Sequence, residues 1–399
     1  MSVMRNGPIW PLAMSATSWA SRSGPTSAFA TISRVPMDRF LGLCRPGFEG
    51  DLAAELTAAL AEEGVGGYAR TQAGEGIVEW VAYGVTGREL LILRGAPSLQ
   101  NLVFCRQLSV TAPCLEGLDP ADRASALARG APWPVAEVLV ETPPGPAAAG
   151  LERLSKRLAG PIRGALERAG RLAGPRDQKL RLHVTLASGT VAWVGYAPAA
   201  LSLEEPGGVR RLRRLPGAPS RSGVKLQEAF LQFLNPTERH LTFAGRPRAV
   251  DLGAAPGGWT YVLRSLGAEV FAVDHGALAP ELADDPLVIH VRADAFTYEP
   301  PVPVDWLCCD VVDKPARVVE TLARWLRRRW AARAIFNLKL PMKQRHAAVV
   351  DARARFFKTL GPRAEEYTFA VKQLYHDREE VTCYAAPRSG TGLAGARHG

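Results

Sequence analysis

The chain has 399 residues, six cysteines and a formal net charge of +10 at pH 7. Its length predicts two or three domains, and the lack of any run of about 18 apolar residues excludes a membrane-spanning helix. No C-x-x-C pair occurs, so we expect neither a metal site nor disulfides. A cytoplasmic location is the simplest interpretation of this cysteine usage. The positive charge favours a polyanionic partner, although a chain rich in alanine, arginine, glycine and proline accumulates arginine without one.

The chain begins with a segment, residues 1–36, that has no acidic residue and no periodicity. This composition predicts a flexible extension, or upstream sequence before a true start at Met37. A ferredoxin-like module is predicted over 37–110, because the patterns follow in the order strand, helix, strand, strand, helix, strand. We place the last of these strands over Val103 to Leu108.

The rest of the chain divides into four segments: a second α+β module over 111–197, a linker over 198–217, a third domain over 218–387 and a polar tail over 388–399. We expect the tail to be disordered. Within the second module, an arginine-rich amphipathic helix precedes a hairpin that turns at Ser188 and Gly189. The linker carries four arginines: Arg210, Arg211, Arg213 and Arg214.

The segment Asp251-Leu-Gly-Ala-Ala-Pro-Gly-Gly-Trp259 connects a short apolar strand to a helix that starts near Trp259. Its glycines let the backbone approach a ligand, and the helix N-terminus offers free N–H groups. The glycine spacing does not match the G-x-G-x-x-G pattern of dinucleotide sites, and the proline removes an N–H that a pyrophosphate would use. A ligand without phosphates, such as S-adenosylmethionine, therefore fits better.

Two further aspartates end apolar runs in the same domain. Asp274 follows the run Val270 to Val273, at the position where an acidic side chain accepts hydrogen bonds from ribose hydroxyls. Asp294 ends a third run, where two interpretations stay open: it faces an adenine edge, or it forms a turn or helix cap. The pattern is typical of a Rossmann-like parallel sheet, whose ligands bind at the carboxyl ends of the strands.

Four ionisable residues of the third domain stand at the ends of predicted elements: Lys225, Asp310, Lys339 and Glu380. A lysine at the end of an apolar strand is costly unless its charge is paired or its pKa falls. Desolvation beside a second cation can lower a lysine pKa from about 10.4 to roughly 7–8, which suits a general base. We therefore assign Lys339 as the base that deprotonates a sugar 2′-OH, with Asp310 and Lys225 orienting it and Glu380 holding Lys225 or the substrate.

Several segments carry a resemblance to a known family: Asp251 to Tyr261, Cys309 to Pro315, Phe336 to Lys343, Leu374 to Thr382, Arg45 to Glu49 and Ala218 to Ser222. They closely resemble the bacterial 23S rRNA cytidine 2′-O-ribose methyltransferase family (RlmM). This family belongs with the FtsJ/RrmJ-like group, which uses a Lys-Asp-Lys-Glu tetrad. The resemblance spans roughly 37–387.

The resemblance implies an α/β protein: a C-terminal Rossmann-like class I methyltransferase domain, preceded by ferredoxin-like and THUMP-like modules. It implies S-adenosylmethionine as cofactor, and 23S rRNA, naked or partly assembled, as partner, with the peptidyl-transferase-region cytidine numbered 2498 as target. We expect a monomer without metal. The expected cofactor-site residues are Ser222, Gly253, Ala255, Pro256, Gly257, Gly258, Trp259, Asp274, Asp294 and Asp310. We choose Glu380 over Glu379 for the tetrad because it directly precedes the last strand.

The sequence indicates the residues that contact RNA less clearly than it indicates the catalytic and cofactor residues. The candidate phosphate contacts are the linker arginines, the run Arg327-Arg-Arg-Trp330, and Lys343 with Arg345. For Arg327 to Arg329 a solvated helix face is the more common explanation, since runs of charge usually form one. We expect Trp259 to pack the loop onto the sheet rather than to stack on a base.

Three other functions remain as alternatives. An RNA base methyltransferase would use either an Asn/Asp-Pro-Pro-Tyr/Phe turn, which this chain lacks, or a cysteine nucleophile such as Cys308 or Cys309. A non-catalytic RNA-binding ribosome-assembly factor could keep the fold without using the tetrad. A nicotinamide-dependent oxidoreductase is weaker still, because of the glycine spacing.

Overall fold

The computed structural model describes residues 36–92, 102–173, 180–199 and 202–388. Within these ranges the chain forms two seven-stranded sheets, one in each half of the molecule. The predicted extension before residue 36 and the tail beyond residue 388 lie outside the described residues. None of the helices in the described ranges has the length and apolar character that crossing a membrane requires.

In the described residues of the first half there are seven strands and four α-helices. In chain order these are β1 (Arg39–Leu43), α1 (Glu49–Glu62), β2 (Gly67–Thr71), β3 (Ile77–Ala82), α2 (Arg88–Ile92), β4 (Gln107–Thr111), α3 (Arg123–Arg129), β5 (Glu137–Glu141), α4 (Glu152–Arg168), β6 (Leu180–Leu186) and β7 (Ala192–Pro198). The sheet order is β2-β3-β1-β4-β7-β6-β5, antiparallel except for β5 and β6. The first four strands and their two helices have the ferredoxin-like arrangement, as predicted.

The two predicted N-terminal modules share this one sheet. β4 pairs with β7 through Val110 opposite Tyr196 and Thr111 opposite Gly195. A Cβ atom on Gly195 would lie 2.9 Å from the carbonyl oxygen of Val110, so glycine permits this close pairing. The boundary that we predicted between residues 110 and 111 therefore falls inside a continuous sheet.

The bounds predicted for the fourth strand, Val103 to Leu108, are wrong, because β4 starts only at Gln107 and continues to Thr111. The backbone N–H groups of Val103 and Phe104 donate to the carboxylate of Glu55 in α1 instead of to a neighbouring strand. The apolar side chains of this segment are buried. Burial alone produced the apolar run that we interpreted as a strand.

The second half contains the other sheet. Its elements are α5 (Gly223–Phe233), α6 (Pro236–Phe243), β8 (Arg248–Leu252), α7 (Gly258–Ser265), β9 (Glu269–Val273), α8 (Pro280–Ala283), β10 (Val288–Val291), β11 (Val304–Cys309), α9 (Pro315–Arg327), β12 (Ala331–Lys339), α10 (Arg345–Leu360), β13 (Tyr367–Lys372) and β14 (Glu380–Pro387). The order is β10-β9-β8-β11-β12-β14-β13, parallel from β10 to β12, with β14 antiparallel to both its neighbours. This order confirms the Rossmann-like prediction. It reverses direction between β8 and β11, where open sheets bind ligands.

Both faces of the second sheet are buried, which fixes the positions of its strand ends. On one face, Trp306 of β11 is fully buried and stacks on Phe243, with ring centroids 5.6 Å apart. On the other face, α9 and α10 cover β11 and β12 with apolar side chains. Burying one large aromatic side chain contributes about 1.5–3 kcal/mol. The edge formed by the carboxyl ends of these strands is therefore held in place by a tightly packed core.

The two halves of the molecule contact each other directly. The ammonium group of Lys372 in β13 donates to the carbonyl oxygen of Leu102 at 2.8 Å. The backbone N–H of Gln373 donates to the carbonyl oxygen of Val103 at 2.9 Å. Burial lowers the pKa of Lys372 to about 8. The edge of the second sheet thus packs against the segment that precedes β4.

Candidate active site

Four elements bring Lys225, Asp310, Lys339 and Glu380 into one cluster. Lys225 lies in the first turn of α5, and Asp310 directly follows β11. Lys339 is the last residue of β12 and Glu380 the first of β14. The antiparallel register makes Lys339 and Glu380 direct partners across the two strands. The four residues predicted from the sequence therefore do meet in the structure.

Glu380 is the centre of this cluster. Its two carboxylate oxygens each accept a hydrogen bond from a lysine, Oε1 from Lys225 and Oε2 from Lys339. The Nζ of Lys225 lies 3.6 Å from Oδ2 of Asp310. The side chain of Glu380 is 3% exposed, whereas that of Lys339 is 34% exposed. Lys339 is therefore the member of the cluster that a substrate can reach most easily.

The charges of the cluster stabilise one another against burial. Burial alone would raise the pKa of Glu380, but hydrogen bonds from Lys225 and Lys339 outweigh it and lower that pKa. Burial would likewise lower the pKa of Lys225, but the charges of Asp310 and Glu380 raise it. For Asp310, burial outweighs the attraction of Lys225 and raises the pKa. The cluster thus holds a charged Lys225–Glu380 pair beside a more weakly acidic Asp310.

Sequence reasoning missed three residues behind Asp310. The amide Nδ2 of Asn337 donates to Oδ1 of Asp310 at 2.8 Å, and the Thr382 hydroxyl lies 2.8 Å from Oδ1 of Asn337. The carboxyl group of Asp377 lies 3.1–3.3 Å from the same hydroxyl. A signal existed in the sequence. Asn337 is a polar residue inside an apolar strand, two positions before Lys339 and hence on the same face.

The glycine-rich loop connects β8 to α7 at the same edge of the sheet. Gly253 and Gly257 have φ angles of +78° and +113°, which strongly favour glycine. The N–H of Ala255 donates to Oδ2 of Asp274 at 3.0 Å, which ties the loop to the end of β9. The other oxygen of Asp274 accepts from the N–H of Gly276 at 2.7 Å. Hydrogen bonds thus join Asp274 to the loop, at the sheet edge where we predict the cofactor site.

The close approaches at two loop glycines are made by protein atoms, which corrects our reason for expecting glycine there. A Cβ on Gly257 would lie 2.1 Å from the side chain of Leu282. A Cβ on Gly258 would lie 2.3 Å from the hydroxyl oxygens of Ser220 and Ser222. These two glycines therefore let the loop pack against α8 and the start of α5, which places Ser222 beside the loop.

The other predicted cofactor residues differ in their surroundings. Trp259 is 2% exposed and its indole N–H donates to the carbonyl oxygen of Ser222 at 3.1 Å, so its side chain packs the loop as predicted. Pro256 is exposed at the edge. Asp294 is exposed too, and its Oδ1 accepts from the N–H of Phe296 at 2.6 Å within its own turn. The structure thus gives Asp294 a turn role and no contact with the tetrad.

One predicted phosphate contact is wrong. Arg345 is 9% exposed, and its guanidinium donates to the carbonyl oxygen of Gly47 and to the carboxylates of Asp51 and Glu379. It therefore joins the two halves of the molecule and does not face RNA. In the linker, Arg210 donates to the carbonyl oxygen of Leu231 at 2.7 Å. The remaining linker arginines are exposed: Arg211, Arg213 and Arg214.

The fold and the four-residue cluster define a methyltransferase of the FtsJ-like class. Residues 218–355 match the family model described as FtsJ-like methyltransferase, and residues 37–109 match the RlmM ferredoxin-like domain.

Curated relatives define the family more closely. The proteins named Ribosomal RNA large subunit methyltransferase M from Xanthomonas oryzae pv. oryzae (strain PXO99A) and Stenotrophomonas maltophilia (strain R551-3) are 41% and 42% identical to this chain. The matches cover 88% and 87% of this chain and 99% and 96% of the relatives. The chain therefore belongs to the Ribosomal RNA large subunit methyltransferase M family. TrmN from Thermus thermophilus is 19% identical over 88% of this chain and 99% of its own, but its TM-score of 0.32 is too low to support a structural equivalence.

Proposed function

We propose that this methyltransferase uses S-adenosylmethionine to methylate the 2′-hydroxyl of a cytidine in 23S rRNA, cytidine 2498 in the peptidyl-transferase region. The observation that carries the proposal is the position of Lys339. Its side chain is the most exposed one of the buried ion cluster, and it lies at the edge of the sheet where the glycine-rich loop also lies.

The residues at the glycine-rich loop fit S-adenosylmethionine. Asp274 retains acceptor capacity for ribose hydroxyls, and the start of α7 provides N–H groups. The loop from Gly253 to Gly258 contains no lysine or arginine that could neutralise a polyphosphate. Carboxylates at this edge, among them Asp310, favour a ligand that carries positive charge. When bound, the cofactor supplies an electrophilic methyl group on a sulfonium sulfur.

Within this proposal, Lys339 accepts the proton of the 2′-hydroxyl at its Nζ. The ammonium group must lose its own proton before this step, as any lysine that acts as a general base must. Glu380 binds the two lysines through separate carboxylate oxygens, so it positions both of them in the cluster. Asp310, fixed by Asn337, orients Lys225 and the hydroxyl.

Methylation of a base carbon is the less favoured alternative. It would need a thiolate, and the candidate cysteines are Cys308 and Cys309. Both are buried, at 0% and 1% exposure, and burial raises the pKa of Cys309 to about 12 and that of Cys308 well above its ordinary value. A thiol of this kind is a poor nucleophile at neutral pH.

The RNA part of the proposal rests on the names of the relatives and on exposed positive charge. The proteins it matches at 41–42% identity are named for the large-subunit ribosomal RNA. The linker leaves Arg211, Arg213 and Arg214 exposed for phosphate contacts. Such a substrate agrees with the cytoplasmic location expected from the cysteines.

The test is a methylation assay with radiolabelled S-adenosylmethionine and 23S rRNA, naked or in assembled subunits, followed by mapping of the labelled nucleotide. We expect label on the ribose of one cytidine, with naked or partly assembled RNA preferred. Lys339→Met should lower kcat about 10²- to 10⁴-fold, the usual contribution of a general base. Lys358→Met, which removes an exposed lysine of α10, should leave activity unchanged. Label on a base, no incorporation with either RNA, or a fully active Lys339→Met variant would contradict the proposal.

A further inference from the structure

One buried arginine differs from the others that the structure describes. Arg106 is 5% exposed, and its Nε and Nη2 have no hydrogen-bond acceptor among the described residues. The other buried arginines of these ranges each have carboxylate partners: Arg39 pairs with Asp38 and Glu79, Arg181 with Glu137, and Arg345 with Asp51 and Glu379. Arg106 therefore carries a buried positive charge without a paired anion.

The neighbours of Arg106 offset only part of the cost of burying its charge. Burial and the positive charge of Arg45 lower the pKa of Arg106 and outweigh the charge of Glu228, which raises it. Its guanidinium carbon lies 5.6 Å from the centre of the Tyr375 ring, which covers it. A buried charge without a hydrogen-bonded anion is destabilising, so an anion that binds here would relieve a cost already present in the folded protein.

Arg106 lies beside the segment that leads into β14 and Glu380. Nη1 of Arg45 donates to the carbonyl oxygen of Asp377 at 2.6 Å, and Asp377 belongs to the loop that enters β14 at Glu380. Tyr375 in the same loop is 36% exposed. Its N–H donates to Glu228 of α5, the helix that carries Lys225. The two arginines therefore stand where the N-terminal half meets the active-site loop.

We propose that Arg106 and Arg45 bind a phosphodiester group of the RNA substrate, next to the nucleotide that is methylated. This inference rests on the proposed function, since it takes RNA as the substrate. Nε and Nη2 of Arg106 form the planar fork that binds two phosphate oxygens at once. Tyr375 moves aside to admit the phosphate. The N-terminal half thereby contributes a specific contact to the active site.

The test uses the full chain and three variants. Arg106→Met should leave the Tm equal to or above that of the unsubstituted protein, because it removes an unpaired buried charge. The same variant should weaken binding of a 23S rRNA fragment about tenfold and reduce the slope of log K against log salt by about one. Arg106→Lys keeps the charge without the fork, so it should keep the salt slope but recover only part of the affinity. Arg181→Met, which removes a buried but paired arginine, should lower the Tm and leave the RNA affinity unchanged.

A lowered Tm for Arg106→Met together with unchanged RNA affinity would overturn the proposal, because Arg106 would then be a structural residue. Binding is measured without cofactor, so a weakened Arg106→Met variant supports the site even if the methylation assay fails. A second probe is inorganic phosphate, compared with chloride at equal ionic strength. Stabilisation by phosphate that Arg106→Met abolishes, without any effect on RNA binding, would identify a free-anion site and would also overturn the RNA assignment.

Discussion

Thr382 has one hydroxyl proton, and the groups around it decide where that proton goes. Asn337 uses its NH₂ group to donate to Asp310, so its carbonyl oxygen faces Thr382 and accepts the hydroxyl proton. The carboxyl group of Asp377 lies farther away, at 3.1–3.3 Å from the Thr382 oxygen. Burial raises the pKa of Asp377 well above its ordinary value, so we expect this group to be protonated and to donate to the Thr382 oxygen.

This order of donors predicts which substitutions of Asp377 are tolerated. Asp377→Asn keeps one donor for Thr382 and one acceptor for the N–H of Leu374, so kcat and KM should stay within about twofold of the unsubstituted protein. Asp377→Leu removes both and leaves Thr382 and Asn337 free to rotate. It should lower kcat by about tenfold or more with little change in KM, because Asp310 loses its orientation.

Steady-state kinetics on both variants would check this prediction. A large loss of kcat in Asp377→Asn would mean that Asp377 acts as a carboxylate, and the donor order above would be wrong. Circular dichroism of the Asp377→Leu variant serves as the folding control.

Among the elements, the loop between β8 and α7 is the most constrained. Gly257 combines a φ of +113° with a Cβ position 2.1 Å from Leu282. Gly257→Ala should therefore cost about 1–3 kcal/mol from backbone strain alone, and the clash should displace the loop. We expect the affinity for S-adenosylmethionine to fall with it.

Gly267, just after α7, provides a matched control for this loop. Its φ is +90°, but a Cβ there has no atom within 4 Å among the described residues. Gly267→Ala should lower the Tm through strain and leave cofactor affinity unchanged. Calorimetric titration with S-adenosylmethionine would compare the two variants, and equal affinity in both would show that the loop conformation does not matter for binding.

The sequence could predict which residues lie at the ends of helices and strands, but it could not predict which distant segments contact each other. Asp310 and Lys339 end apolar runs that β11 and β12 reproduce, so their common edge follows from the rule for parallel sheets. No pattern in the sequence connects Glu55 to the N–H groups of Val103 and Phe104, 48 and 49 residues away. That contact depends on the tertiary packing of α1, and it is the reason that β4 starts at Gln107 and not at Val103.

For the molecule as a whole, the same reasoning explains why Arg345 was misassigned. From the sequence of a basic chain we expected Arg345 to contact RNA. In the structure it forms an ion pair with Asp51, 294 residues earlier, and so links the two halves of the molecule. Arg345 also holds Glu379, the neighbour of Glu380. The N-terminal half is therefore bound directly to the segment that carries Glu380, so the RNA that we propose for that half would lie close to the four-residue cluster.

Buried carboxyl groups in both halves make the stability of the whole molecule depend on pH. Burial raises the pKa of Glu55 in the first half and of Asp251 in the second to about 7. A raised carboxyl pKa means that the folded protein holds a proton that the unfolded chain has already lost. The free energy of unfolding should therefore fall as pH rises from about 4 to about 7.

Asp251→Asn isolates one of these contributions. Asp251 is 1% exposed, and its Oδ2 accepts a hydrogen bond from the hydroxyl of Thr260 at 2.7 Å, while its Oδ1 has no partner among the described residues. A rise in pKa from 3.8 to about 7 corresponds to about 4 kcal/mol, an upper limit for the stability that the protein loses over this interval.

Urea unfolding at pH 5 and pH 8 should show a smaller decrease in the free energy of unfolding for the Asp251→Asn variant, because asparagine does not titrate. Asp284→Asn removes an exposed carboxylate and should leave the decrease unchanged, whereas an equal decrease in Asp251→Asn would mean that the carboxyl group of Asp251 is already ionised in the folded protein at pH 5.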